Sequence, residues 1–259
     1  MPALFIGHGS PLNAIEKNEF TRTWEKIREV LPLPKLILCI SAHWLREGTA
    51  VIAMLRPKTI HDFYGFPPEL YALQYPAAGS PEQALFIQKL VKSVPVELDQ
   101  EWGLDHGSWS VLKHLYPKAT IPVVQLSLDY QLSLEKIVEV GKELRILRAK
   151  GVLIIGSGNL VHNLMVMNPR AEPFDWAIEF DEMVKENLAR KQYDRLINYT
   201  QHPSSRMAHP TNDHYLPLLY VVGAAFQEDP QFFNEKIVLG SISMRSVIFG
   251  LKEALQLPL

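Results

Sequence analysis

Of the nine histidines in this chain of 259 residues, three follow short apolar runs: His8 in Gly-His-Gly-Ser-Pro, His43 in Ser-Ala-His-Trp and His162 in Gly-Asn-Leu-Val-His-Asn. Such runs read as buried strands, and strand ends are where open α/β sheets hold their ligands. His214, which heads the apolar stretch 216–226, is a fourth candidate. A histidine taken alone is more often a core or surface residue than a ligand, so the argument rests on the four converging. Imidazole suits iron, copper, nickel and zinc, whereas magnesium and calcium take oxygen ligands. The cluster therefore points to Fe(II) or Zn(II), and residue types do not separate the two. Three or four neutral ligands leave the metal's charge uncompensated, which favours an anionic substrate such as a catecholate.

Local context adds to each assignment. His8 lies between Gly7 and Gly9, which allow a sharp turn and a close approach. His43 is expected at the carboxyl end of the second strand, beside His8 if sequential strands pair, as they usually do. His162 follows Gly156-Ser157-Gly158-Asn159, which reads as a small-residue turn. His214 follows Thr211, Asn212 and Asp213, which offer capping side chains. A histidine in a first helical turn feels the positive end of the macrodipole, which favours the neutral, metal-binding form. Asp213 is an alternative carboxylate ligand at the same place, and spacing allows either. His106, in Glu101-Trp102-Gly103-Leu104-Asp105-His106-Gly107-Ser108-Trp109, reads as a loop histidine able to move protons near neutral pH without touching the metal.

Other chemistries fit less well. The segments starting at Gly7 and Gly156 begin like dinucleotide turns but lack the third glycine. Neither Ser10 nor Ser157 sits in Gly-x-Ser-x-Gly. The rival enzyme is a zinc hydrolase, since three histidines and a bound water also activate hydrolysis. A purely structural metal is disfavoured by glycine-flanked ligands at strand ends.

The elements that must position these residues alternate along the chain. Strands are expected at 3–6, 35–41, 49–54, 94–98, 121–128, 152–155 and within 237–249, and helices at 19–31, 80–93, 133–150 and 174–190. This alternation predicts an α/β fold, a single domain over 1–259 with a central, mostly parallel sheet flanked by helices and the metal site at the carboxyl ends of strands. A short helix is expected over 251–256. The stretch 56–76 reads as a long loop whose Phe63, Tyr64, Phe66, Tyr71 and Tyr75 argue for order and function.

A net charge of −2 excludes a broad basic surface, so neither nucleic acid nor membrane is expected as a partner. The sole cysteine, Cys39, sits in an apolar run and suits a reducing cytoplasm, and no apolar stretch is long enough to span a bilayer. A soluble, unexported protein is expected, with its oligomeric state left open. Arg206 and Arg245 are expected on the solvated surface, with binding of a substrate carboxylate as the alternative for each.

The combined motifs resemble a known family. Gly-His-Gly-Ser-Pro at 7–11, Ser-Ala-His-Trp at 41–44, Thr-Ile-His-Asp-Phe-Tyr-Gly-Phe-Pro at 59–67, Asp-His-Gly at 105–107, Ser-Gly-Asn-Leu-Val-His-Asn at 157–163 and His-Tyr-Leu-Pro at 214–217 are similar to the DOPA-type extradiol ring-cleavage dioxygenases of the class III, protocatechuate 4,5-dioxygenase-like superfamily. The resemblance runs in order along nearly the whole chain. It implies His8, His43 and His214 as metal ligands, with His162 a fourth ligand or a neighbour that handles protons, and His106 as a second catalytic histidine. It further implies non-haem Fe(II) for activity, with Zn(II) able to fill the same site, a small catechol and O2 as reactants, and His61, Phe63 and Tyr64 lining the substrate pocket. His214 stands where the wider superfamily has glutamate.

Overall fold

A computed structural model describes residues 1–251 except 171, together with 253 and 255. Its strands are β1 (Ala3–Gly7), β2 (Leu36–Arg46), β3 (Thr49–Ile52), β4 (Lys58–Thr59), β5 (Val96–Asp99) and β6 (Gly103–Leu104). The second half adds β7 (Val123–Asp129), β8 (Val152–Gly158), β9 (Pro230–Phe233), β10 (Ile237–Val238), β11 (Ile242–Ser243) and β12 (Ser246–Phe249). Eight of these form the main sheet, in the order β5-β3-β7-β2-β8-β1-β12-β9. The centre, β7-β2-β8-β1, is parallel, while β12 and β9 are antiparallel additions at one side.

Parallel strands covered on both faces read as continuous apolar runs, and the two central strands show why. Along β2, Leu36, Leu38 and Ile40 enter one core, and Ile37 and Cys39 the other. Along β1, Ala3 and Phe5 alternate in the same way with Leu4 and Ile6. The first core lies under the helices Leu134–Ala149, Asp175–Ala189 and Leu216–Ala224, and the second under Glu19–Val30 and His106–Leu115. Helix 134–149 begins where Ser133 accepts from the Lys136 amide, and Gly151 follows its end at φ +90°, a left-handed conformation suited to glycine.

Several details differ from the sequence expectations. The first two strands are not neighbours, because β8 lies between them, as crossover connections in a parallel sheet allow. The second strand continues past residue 41 to Arg46, with its register against β7 shifting between Ile40 and Leu45, and His43 lies in that irregular stretch. Such irregularities re-aim a side chain near a site. Residues 156–158 continue β8 rather than turning. The stretch 56–76 contains a short helix, Pro68–Ala72. Of the expected tail helix over 251–256, positions 252, 254 and 256 lie outside the described residues. No helix of the described residues is long and apolar enough to cross a membrane.

Candidate metal centre

Each candidate histidine reaches the carboxyl ends of the central strands by its own route. His8 follows β1, and its amide still bonds to Gly158 O of β8 at 3.0 Å before Gly9, at φ +62°, turns the chain away. His214 precedes helix 216–224, and the Asn159 amide donates to His214 O at 3.0 Å. A Cβ at Gly158 would collide with that same carbonyl, so the glycine lets the segment lie directly on the strand. His214 therefore stands before the helix rather than in its first turn, and no side chain from 211–213 caps that helix. His106 opens helix 106–115 instead of lying in a loop, because Asp105 caps it by accepting from the Ser108 amide at 3.1 Å.

The ligand nitrogens of His8, His43 and His214 all lie within 4.8 Å of one another. Their hydrogen-bond network sets the tautomers. The Ser157 hydroxyl donates to Gly107 O at 2.5 Å, so it can only accept from His8 Nδ1, 3.0 Å away. Asp62 Oδ2 lies 3.3 Å from His43 Nδ1, and Asp213 Oδ2 contacts His214 Nδ1. A proton on each Nδ1 leaves each Nε2 a bare lone pair. Nε2 of His8 and Nε2 of His43 face each other at 3.1 Å.

Burial opposes filling that gap with a proton. It holds His8 and His214 well below the ordinary histidine value, helped in turn by His43 and by His162, and it pushes His43 down to about 3, with His106 adding to the effect. Two lone pairs at that distance are satisfied by a shared cation. All-imidazole donors with carboxylate and hydroxyl partners behind them suit a transition metal, so the residues fit the ion that the sequence motifs imply.

The remaining candidates surround this centre. His162 stacks on His214 with centroids 3.5 Å apart and planes at 6°, outside the group of three, and burial pushes it down to about 4. The His106 ring lies against His43 at 3.8 Å, with Phe63 edge-on to it at 5.5 Å. His61 bonds through Nε2 to Leu73 O at 2.9 Å, and Tyr64 is 92% exposed. Asp105 is fully buried beneath, bonded by Gln125, and burial together with nearby Asp62 raises its carboxyl to about 6.

Sequence reasoning missed two contributors. Asp62 gives Oδ1 to the His106 amide and Oδ2 to His106 Nδ1, both at 2.9 Å, and it also faces His43. It stands in the 59–67 motif, but its partner His106 lies 44 residues away, so nothing local reveals the pairing. Ser157 stands in a quoted motif, yet its role beneath His8 appears only once β8 is seen beside β1. Arg245 corrects another expectation: it is buried, with Nε bonded to Asp181 at 2.7 Å and its other nitrogens on Glu182 and Glu235, whereas Arg206 is exposed.

An α/β sheet that brings three imidazoles to the ends of its parallel strands, with a fourth histidine ring packed against one of them, has the make-up of a metal-dependent enzyme. Residues 3–250 match the family described as the catalytic LigB subunit of aromatic ring-opening dioxygenase; the chain belongs to this family and is an extradiol ring-opening dioxygenase. It is 47% identical over 257 residues to a 4,5-DOPA dioxygenase extradiol of Escherichia coli (strain K12), covering 96% of this chain and 95% of that protein. The similarly named protein of Beta vulgaris is 39% identical, with 85% of each covered. A crystal structure of an uncharacterized protein from Escherichia coli K12 superposes with a TM-score of 0.84 at 44% identity, covering 96% of this chain and all of that one. Family membership decides against the zinc hydrolase.

Proposed function

We propose that this enzyme opens a catechol of the DOPA type by 4,5-cleavage, with iron(II) held by His8, His43 and His214. The observation that carries the metal assignment is the group of three imidazoles whose ligand nitrogens lie within 4.8 Å of one another, Nε2 of His8 and Nε2 of His43 facing each other at 3.1 Å. The DOPA class is supported by the names of the E. coli and Beta vulgaris relatives and by the neutrality of all three ligands, which suits an anionic catecholate. Iron(II) at this site supplies the redox chemistry that joins a catechol to O2. Zinc(II) suits the same nitrogens and is expected to hold the site without turnover.

The chain's own residues supply binding and proton transfer. His106, with a proton on Nδ1, keeps Nε2 as the acceptor for a catechol hydroxyl proton and returns it as the ring opens. His162, stacked on His214, is the second proton-handling group. Phe63 lines the pocket beside His106, His61 anchors the loop that carries it, and Tyr64, on the same loop, meets the substrate from the solvent side. The catalytic unit is the whole chain as one domain, working in the cytoplasm on small molecules, with neither nucleic acid nor membrane as partner.

The test is anaerobic loading with Fe(II), followed by L-DOPA and air, with oxygen uptake and visible absorbance recorded together. Stoichiometric uptake with a yellow semialdehyde is expected; no uptake across a panel of catechols contradicts the substrate class.

A further inference from the structure

We infer that Asp62 is the positioning residue that sets, with one carboxylate, both a metal ligand and the proton-handling histidine of this enzyme. The inference rests on the dioxygenase reading above, in which His43 binds the ion and His106 moves the proton. Asp62 sits in the loop between β4 and helix 68–72, and that loop is pinned on both sides. Thr59 pairs with Leu104, the Ile60 amide donates to Leu104 O at 2.7 Å, and Trp109 Nε1 donates to Ile60 O at 2.8 Å. Beyond Asp62, Phe63 packs on Phe66 and Tyr71.

Held in this way, the carboxylate accepts from two donors and faces a third ring nitrogen. Oδ1 accepts from the His106 amide and Oδ2 from Nδ1 of His106, both at 2.9 Å, while Nδ1 of His43 lies 3.3 Å from Oδ2, within ion-pair distance. A carboxylate offers acceptors only, so His106 must carry its proton on Nδ1, and the negative charge 3.3 Å from His43 Nδ1 favours the proton there as well. Both Nε2 atoms are then lone pairs: that of His43 faces His8, and that of His106 has no hydrogen-bond partner among the described residues, which leaves it open to a substrate proton. The two rings sit 3.8 Å apart, so one side chain sets the metal ligand and the base in register.

The isosteric amide exposes this requirement. In Asp62→Asn the oxygen can serve the histidines only if the NH2 group faces the His106 amide, donor against donor. In the other orientation the NH2 group faces both Nδ1 atoms and drives their protons to Nε2, removing the lone pairs that ligand and base need. Either way both functions suffer, whereas a loop residue of purely structural use would leave the tautomers alone.

The experiment compares parent and Asp62→Asn proteins. Zn(II) affinity is measured by chelator competition without any turnover, then kcat and KM at saturating Fe(II). The variant is expected to bind Zn(II) roughly ten- to a hundredfold more weakly and to lose kcat by a comparable factor, as for other partners behind metal ligands, while KM stays near the parent's. Parent-like affinity or a parent-like kcat overturns the assignment. Nitrogen-15 spectra of the metal-free parent test it with no variant at all: His43 and His106 are expected as Nδ1–H tautomers, and Nε2–H at either overturns it. A parent that binds Zn(II) but opens no catechol would sink the dioxygenase reading instead, with tautomers and affinity still deciding the role of Asp62.

Discussion

Two polar clusters in this molecule, each with buried nitrogens at its centre, are built on opposite principles. Around Arg245, Asp181, Glu182 and Glu235 take up the guanidinium donors, and the Ser243 hydroxyl donates to Asp181 at 2.6 Å. The guanidinium's hydrogen bonds close within the chain there, tying helix 175–189 to the strands near residues 235–245. Around His8, His43 and His214 every Nδ1 has a polar neighbour, yet Nε2 of His8 and Nε2 of His43 are left facing each other, with a ring nitrogen of His214 within 4.8 Å. Burial of polar groups is tolerated in both, but only the first is complete. The contrast teaches that an incomplete buried cluster marks a ligand, whereas a complete one marks architecture.

The most severe way to break the comparison is to remove a ligand. His43→Ala is expected to abolish both metal binding and turnover while the chain stays folded, which metal analysis, oxygen uptake and circular dichroism check together. His106→Ala comes next: metal content stays at the parent level and kcat falls by about 10²–10⁴, the usual worth of a general acid–base group. Loss of metal in this variant would make His106 a ligand.

Arg245→Ala tests the other cluster. Leaving the Asp181 carboxylate buried without its partner costs about 3–5 kcal/mol of unfolding free energy, read by urea denaturation, while Zn(II) affinity of the folded protein is retained.

Last comes the effect of pH on the metal-free protein. The histidines His162 and His209 titrate at about 4 when folded, chiefly through burial, against an ordinary 6.5. The unfolded chain therefore takes up protons first as pH falls, and stability is lost progressively from pH 6.5 down toward 4. The urea midpoint of the metal-free protein should fall across that window; a flat profile contradicts the buried, neutral state of these rings.

Much of this was legible in the sequence, and for a consistent reason. Apolar runs at 3–6, 36–40 and 152–155 and the capped helix after Ser133 announce themselves because burial on both faces and capping are local requirements. The histidines stood out because they follow such runs. What escaped depends on distant partners. Nothing near residue 62 signals that its carboxylate meets residue 106, and nothing near Arg245 signals that carboxylates at 181, 182 and 235 surround it. The insertion of β8 between β1 and β2 is a crossover, invisible to an argument from sequential neighbours. Helix 106–115 was hidden by Gly107, whose Cβ would strike Ser41 Oγ and sit 2.9 Å from His43 Cδ2, so the site's packing needs a glycine that reads locally as a loop.

The measurement that bears most directly on the central claim is anomalous diffraction from Zn(II)-loaded crystals, recorded at the zinc edge. One peak about 2.0–2.1 Å from Nε2 of His8, His43 and His214, with His162 stacked outside the coordination shell, is the expected result. A peak elsewhere, or one that takes His162 in place of any of the three, would contradict it.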